Sequence, residues 1–139
     1  MQIRTGTVDD GAEIIDLLAN AVGDRGKRLY AAAHMYRHDP KAALLIAVRE
    51  GQIVGLVGYA VGDSELTVLH IATAESVRRH GLGTRLLAAV DEAVGHRLPL
   101  VAETDEMSLA FYEARGFSVE SLGRKYPGVE RFEVRRCDG

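Results

Sequence analysis

The stretch "VRRHGLGTRLL", residues 77–87, decides how the rest of the chain is read. It holds two glycines two apart, preceded by two arginines and a histidine, and then turns helical. From Gly81 to about Gly95, Leu82, Leu86, Val90 and Val94 recur every fourth residue along one side, with Leu87 and Ala93 beside them. That spacing predicts an amphipathic helix. Upstream, "ELTVLHIAT" is apolar over 68–72 except for His70. A nearly unbroken apolar run predicts a central strand buried on both faces. Downstream, "LPLVAET" predicts a strand over 98–103. Strand, helix, strand in succession implies a right-handed parallel crossover.

Working outward, residues 2–6 read as a short strand, and "TVDDGAEIIDLLANAV" as a helix with Thr7 at its N-cap and Asp9, Asp10 and Glu13 in its first turn. Ile14, Leu17, Leu18 and Val22 form its apolar stripe. Residues 27–37 read as a second helix, limited by Pro40. "AALLIAVREGQIVGLVGYAV" reads as a hairpin turning at Glu50-Gly51, with a further turn at 62–64. "MSLAFYEARGF" reads as a short helix stopped by Gly116, and "FSVESLG" and "ERFEVRR" as final strands. The order is strand, two helices, three strands, helix, strand, helix, two strands. It predicts a mixed α/β sheet with helices on both faces.

At 139 residues one domain is the expectation. The hydrophobic fraction of 47% and charged fraction of 27% are those of a globular protein. The lone cysteine, Cys137, makes no internal disulfide and reads as a bystander. The N-terminal residues show no apolar targeting core, and no apolar run is long enough to span a bilayer, so a cytoplasmic protein is expected. A formal net charge of −3 argues against nucleic acid as the main partner. His34, His38 and His96 show no metal-ligand spacing, and no metal is expected.

Against that acidic balance, Arg78, Arg79, His80 and Arg85 form a local basic knot without an acid among them. A helix N-terminus leaves backbone N–H groups unpaired and partially positive, which suits an anion. Gly81 and Gly83 carry no Cβ and let a ligand approach the backbone. The knot therefore suits a phosphate-bearing small molecule. The competing reading is a helix that begins after a flexible turn, its arginines solvated. The stretch is not a Walker A loop, lacking Gly-Lys-Ser/Thr, nor the dinucleotide fingerprint, lacking a third glycine.

Arg78-x-x-Gly81-x-Gly83 after an apolar strand resembles the acetyl-CoA signature of the GNAT superfamily of acyl-CoA N-acyltransferases. "TDEMSLAFYEARGF" is similar to a second segment of that family, with Ala110, Tyr112 and Gly116-Phe117 at the matching places. The order of elements matches as well, so the resemblance covers nearly the whole chain. Two positions depart from many relatives: Asp105 stands where Asn is usual, and Ser108 where Ala is.

The resemblance implies a GNAT-like fold across residues 1–139: a twisted, mostly antiparallel sheet with one central parallel β-α-β crossover. It implies acetyl-CoA as co-substrate and an amine as acceptor, with homodimers frequent in the family. The pyrophosphate would lie on the amides of Arg79, His80, Gly81, Leu82, Gly83 and Thr84. The pantetheine arm would run beside Ile71, Ala72 and Thr73, in a gap where the fourth and fifth strands splay. Arg78, Arg79 or Arg85 would meet the 3′-phosphate. Tyr112 stands at the family's usual position for protonating the leaving thiolate; its structural alternative is a core aromatic. For the base that deprotonates the amine, Glu65, His70 and Glu103 are candidates, or water alone. His70 also reads as a satisfied core histidine, Glu65 as a strand end, and Glu103 with Asp105 as an acidic rim. The late loop around Tyr126 and Arg131 would help shape the acceptor pocket. Two rival functions stay open: an acetyl-CoA-binding sensor without turnover, and a nucleotide-phosphate binder outside the family.

Overall fold

The computed structural model describes residues 1–78, 80–95, 98–126 and 129–136, with the backbone alone described at 125 and 126. The strands are β1 Gln2–Gly6, β2 Ala42–Arg49, β3 Gln52–Val61, β4 Leu66–Thr73, β5 Leu100–Asp105, β6 Ser118–Tyr126 and β7 Val129–Arg136. The helices are α1 Ala12–Val22, α2 Lys27–His38, α3 Leu82–Ala93 and α4 Leu109–Glu113. The strands form one seven-stranded sheet in the order β1-β2-β3-β4-β5-β7-β6. Every neighbouring pair is antiparallel except β4 and β5, which are parallel and linked through α3. The element order and the parallel crossover are those the sequence predicts.

Side-chain alternation divides the core into two layers. Leu44 and Ile46 of β2 pack with Ile14, Leu17 and Leu18 of α1 and with Leu29, Ala32 and Ala33 of α2. Leu45 and Ala47, on the opposite face of the same strand, pack with Leu82, Leu86, Leu87 and Val90 of α3 and with Tyr112 of α4. The period of two in β2 thus assigns one helix pair to each face. The β2–β3 hairpin turns at Glu50 and Gly51, both at positive φ, as a tight two-residue hairpin requires.

Three local expectations need correction. Thr7 does not cap α1. Its N–H donates to Asp10 Oδ2 at 2.6 Å, and Thr7 Oγ1 accepts from the N–H of Asp9 at 3.3 Å. These residues close their own turn, and α1 begins only after Gly11. The stretch at 107–117 is not one helix: a 3-10 turn, Glu106–Ser108, leads into the five-residue α4. The expected fully buried strand is only half-buried, with residues 69–73 all partly exposed. The reason is the gap described next.

Beyond Val68 and Ala102, β4 and β5 part. Their ladder pairs Leu66 with Leu100, Thr67 with Val101 and Val68 with Ala102, and then ends. Both strands continue on their outer sides: β4 stays paired with β3 as far as Thr73, and β5 with β7 as far as Asp105. The β3–β4 register steps from Gly58↔His70 to Tyr59↔Val68, leaving Leu69 as the extra residue of a bulge. A bulge bends and twists its strand, and here it stands where the two strands separate.

Candidate functional site

A cleft of about 1080 Å³ opens into this gap. One wall is β4 from Thr67 to Thr73. The other comprises Glu103, Thr104 and Asp105 of β5, with Val129 and Arg131 of β7. Arg78 and Gly83 line it at the α3 end, Phe111 and Tyr112 on α4, and Asn20, Val22 and Arg28 at the junction of α1 and α2.

The α3 end is an uncapped helix N-terminus. Its first intrahelical bond runs from the N–H of Arg85 to the Gly81 carbonyl at 3.1 Å, so the N–H groups of Leu82, Gly83 and Thr84 have no helical acceptor. Among the described residues no side chain caps them. Gly81 sits at φ +78°, a left-handed conformation that glycine adopts without strain. The two glycines serve different purposes. A Cβ on Gly81 would meet nothing within 4 Å, whereas one on Gly83 would lie 3.0 Å from Phe111 Cε1. Gly83 therefore lets α4 dock against α3. Arg115 holds that docking: its guanidinium lies 3.9 Å from the centre of the Phe111 ring, Nε donates to Thr84 Oγ1 at 2.6 Å, and Nη1 to the Phe111 carbonyl at 2.6 Å.

The remaining residues named from the sequence fall as follows. Ile71, Ala72 and Thr73 line the cleft. Arg78 does too, its Nε 3.4 Å from the Thr73 carbonyl. His80 is exposed at the turn, and Leu82 turns its side chain into the core. Glu65 does not line the cleft; it pairs with Arg135 at 2.8 Å. Glu103 lies in the wall, 3.8 Å from Arg131. Arg79, His96, Cys137, the Pro127-Gly128 turn and the Tyr126 side chain lie outside the described residues.

Tyr112 is 4% exposed, wedged edge-on between Phe111 and Phe117, with ring centres 5.1 and 5.2 Å away. Burial, with a contribution from the nearby charge of Asp105, pushes its phenol up to about 12. His70 is half-buried, and burial lowers its pKa from the ordinary value. Its Nδ1 lies 2.6 Å from the hydroxyl of Tyr36, a residue of α2 that the sequence reading did not single out. Burial raises the pKa of Tyr36 strongly. The available signal was Gly58. A glycine inside a strand marks close approach of another group, and the space its Cβ would fill is taken by the Tyr36 hydroxyl. Arg28, outside any motif, and Arg115, inside the second family-like segment but not at one of its matching positions, were also missed.

These shifts tie stability to pH at both ends. Phenols raised in the folded state keep protons that the unfolded chain gives up, so their contribution is complete below pH 10 and falls as pH rises toward 12. For Tyr112 the loss is on the order of 3 kcal/mol. A histidine lowered in the folded state contributes above its unfolded value of about 6.5 and loses that contribution as pH falls below it. Urea midpoints measured from pH 5 to 12 should fall at both ends. The alkaline fall should shrink in Tyr112→Phe and the acid fall in His70→Gln; unchanged slopes in these variants would contradict the assignment.

The sequence profile described as "Acetyltransferase (GNAT) family" matches residues 12–117. The chain belongs to the GNAT acetyltransferase family. Solved structures agree on the fold. An aminoglycoside 6′-acetyltransferase type Ii superposes with a TM-score of 0.81 at 19% identity, covering 98% of this chain and 96% of its own. An aminoglycoside 6′-N-acetyltransferase complexed with coenzyme A gives 0.79 at 16%, with the same coverages of 98% and 96%. A GNAT family acetyltransferase from Elizabethkingia anophelis with acetyl-CoA bound gives 0.70 at 22%, covering 96% and 95%. None of the curated protein sequences compared with the chain matches it. The GNAT profile spans the whole cleft from α1 to Phe117, apart from the β7 wall. No helix among the described residues of this GNAT protein is long and apolar enough to cross a membrane. Among the same residues, no group of three or more His, Cys, Asp or Glu side chains could hold a metal ion.

Proposed function

We infer that this protein is an N-acetyltransferase that moves the acetyl group of acetyl-CoA onto a primary amine by direct attack on the thioester. The observation that carries this reading is the continuity of two unsatisfied backbone surfaces within one cleft. The uncapped α3 amides at 82–84 present donors for a pyrophosphate. The inner edge of β4 from Leu69 to Thr73, unpaired toward β5, presents donors and acceptors for the amides of a pantetheine arm. The coenzyme A and acetyl-CoA bound in two structural relatives support the same ligand.

The chemistry follows from where the arm would end. A thioester in the gap places its carbonyl near the β4 backbone, where an N–H close to Ile71 or Ala72 stabilises the oxyanion that develops on attack. The amine nitrogen bonds to the carbonyl carbon, the C–S bond breaks, and the sulfur takes a proton from Tyr112. A buried phenol near 12 is a reluctant acid toward a thiol of ordinary pKa about 8.5. The transfer therefore proceeds with C–S cleavage, as charge builds on sulfur, rather than ahead of it. An acetyl-CoA sensor without turnover would use the same binding surfaces and leave Tyr112 idle.

Calorimetric titration tests the binding half. Acetyl-CoA should bind saturably, and ATP at least about tenfold more weakly, because ATP has a phosphate chain but no arm for the β4 edge. No heat with acetyl-CoA would overturn the reading. Equal binding of ATP would favour a general nucleotide site.

A further inference from the structure

Within the acetyltransferase reading, we propose that His70 accepts the proton of the attacking amine on Nε2, and that Tyr36 is the positioning residue that orients the imidazole for it.

Geometry makes the case. His70 is paired in register with Gly58, and both face the α1–α2 side of the sheet, where Tyr36 reaches them. Tyr112 stands on the opposite, α3–α4 side. The two proton-handling groups thus flank the gap from its two faces, one beside the incoming nitrogen and one beside the departing sulfur. Tyr36 engages Nδ1 at 2.6 Å, its ring set edge-on at 64° to the imidazole. No described residue bonds Nε2, and His70 lines the cleft. The contact is built into the fold, because only glycine at 58 leaves room for the phenol.

The carboxylate candidates are engaged elsewhere. Glu65 pairs with Arg135 outside the cleft. Glu103 lies against Arg131, and Asp105 Oδ1 accepts from the N–H of Ser108 at 3.1 Å.

A base on Nε2 requires the proton to sit on Nδ1. Tyr36 provides for that by accepting from Nδ1–H through its phenol oxygen. The amine's proton then passes to Nε2, the resulting imidazolium keeps its bond to Tyr36, and the added proton leaves through the cleft to water. Tyr112, left as phenolate by the thiolate, regains its proton from solvent, so the cycle closes without another reactant.

The tautomer is read on the protein alone by long-range ¹H–¹⁵N correlation of the histidine rings at pH 8, with His70→Gln assigning the signal. The expected result is a proton on Nδ1 and an unprotonated Nε2. Tyr36→Phe removes the acceptor, and Gly58→Ala crowds the phenol out while keeping both side chains. Each should move the proton largely to Nε2, the form free imidazole prefers. A wild-type ring protonated on Nε2, or a tautomer indifferent to both variants, overturns the proposal. The second arm follows thiol release from acetyl-CoA with kanamycin, spermidine and lysine as acceptors. With any amine turned over, His70→Gln should lower kcat by roughly 10²-fold or more, and Tyr36→Phe by about tenfold, with KM for acetyl-CoA little changed. A His70→Gln kcat within about threefold of wild type overturns the assignment. The tautomer measurement uses neither acetyl-CoA nor acceptor, so failure of the acetyltransferase reading shows separately, in the calorimetric titration.

Discussion

Replacing Tyr112 with phenylalanine should lower turnover by roughly 10²- to 10⁴-fold and leave acetyl-CoA affinity nearly unchanged. The substitution removes one oxygen from a ring that is otherwise held by Phe111 and Phe117. The edge-to-face packing survives, and so does the hydrophobic layer between α3 and the sheet. On the proposed mechanism, what is lost is the proton for sulfur. Thiol release under saturating acetyl-CoA, alongside a calorimetric Kd, separates the two effects. Equal losses of binding and rate would make Tyr112 a packing residue. An unchanged rate would mean that water protonates the thiolate.

The second large effect concerns stability. Arg136, at the end of β7, pairs with Asp91 of α3. The Asp91 side chain is 5% exposed and that of Arg136 20%, and the guanidinium also lies 5.1 Å from the Phe117 ring centre. This pair joins the helix that begins at the proposed phosphate site to the far side of the gap. Arg136→Ala should cost on the order of 3 kcal/mol, because it takes the guanidinium away from a buried carboxylate. Replacing both partners, Asp91→Leu with Arg136→Met, should restore most of that loss, since neither charge then needs compensation. Urea denaturation of the three variants checks it. A single-variant loss under about 1 kcal/mol would place the pair among ordinary surface contacts.

What the sequence made legible is what repeats locally. The four-residue spacing of Leu82, Leu86 and Val90 marks α3, and each of these side chains is buried. The Glu50-Gly51 turn and the order of elements along the chain follow from equally local signals. The Thr7 misreading is instructive. Thr-Val-Asp-Asp carries the composition of a helix start, but the same side chains satisfied a turn of their own. The half-exposure of 69–73 was not written in the strand's own residues, and only the family resemblance implied it. Nothing in that strand's residues says that its neighbour will leave it, since the separation depends on where β5 goes. Tyr36 was illegible because its role is assembled from three distant segments: an α2 phenol, a β4 imidazole and a β3 glycine. The GNAT-like signature pointed to the α3 end of the cleft, whereas Arg28, at the α1–α2 junction, lies outside any motif.

The short ladder between β4 and β5 also has a mechanical meaning. The sheet consists of two plates, β1 to β4 and β5 to β7, stitched to each other over only three residue pairs. Past that seam no strand ladder joins the plates, and they meet through helices, α4 docking on α3 where Phe111 meets Gly83 and Arg115 bonds Thr84. Widening the mouth therefore breaks no strand-to-strand hydrogen bond. A molecule lying along the seam would act as a strut, turning two hinged plates into one rigid panel.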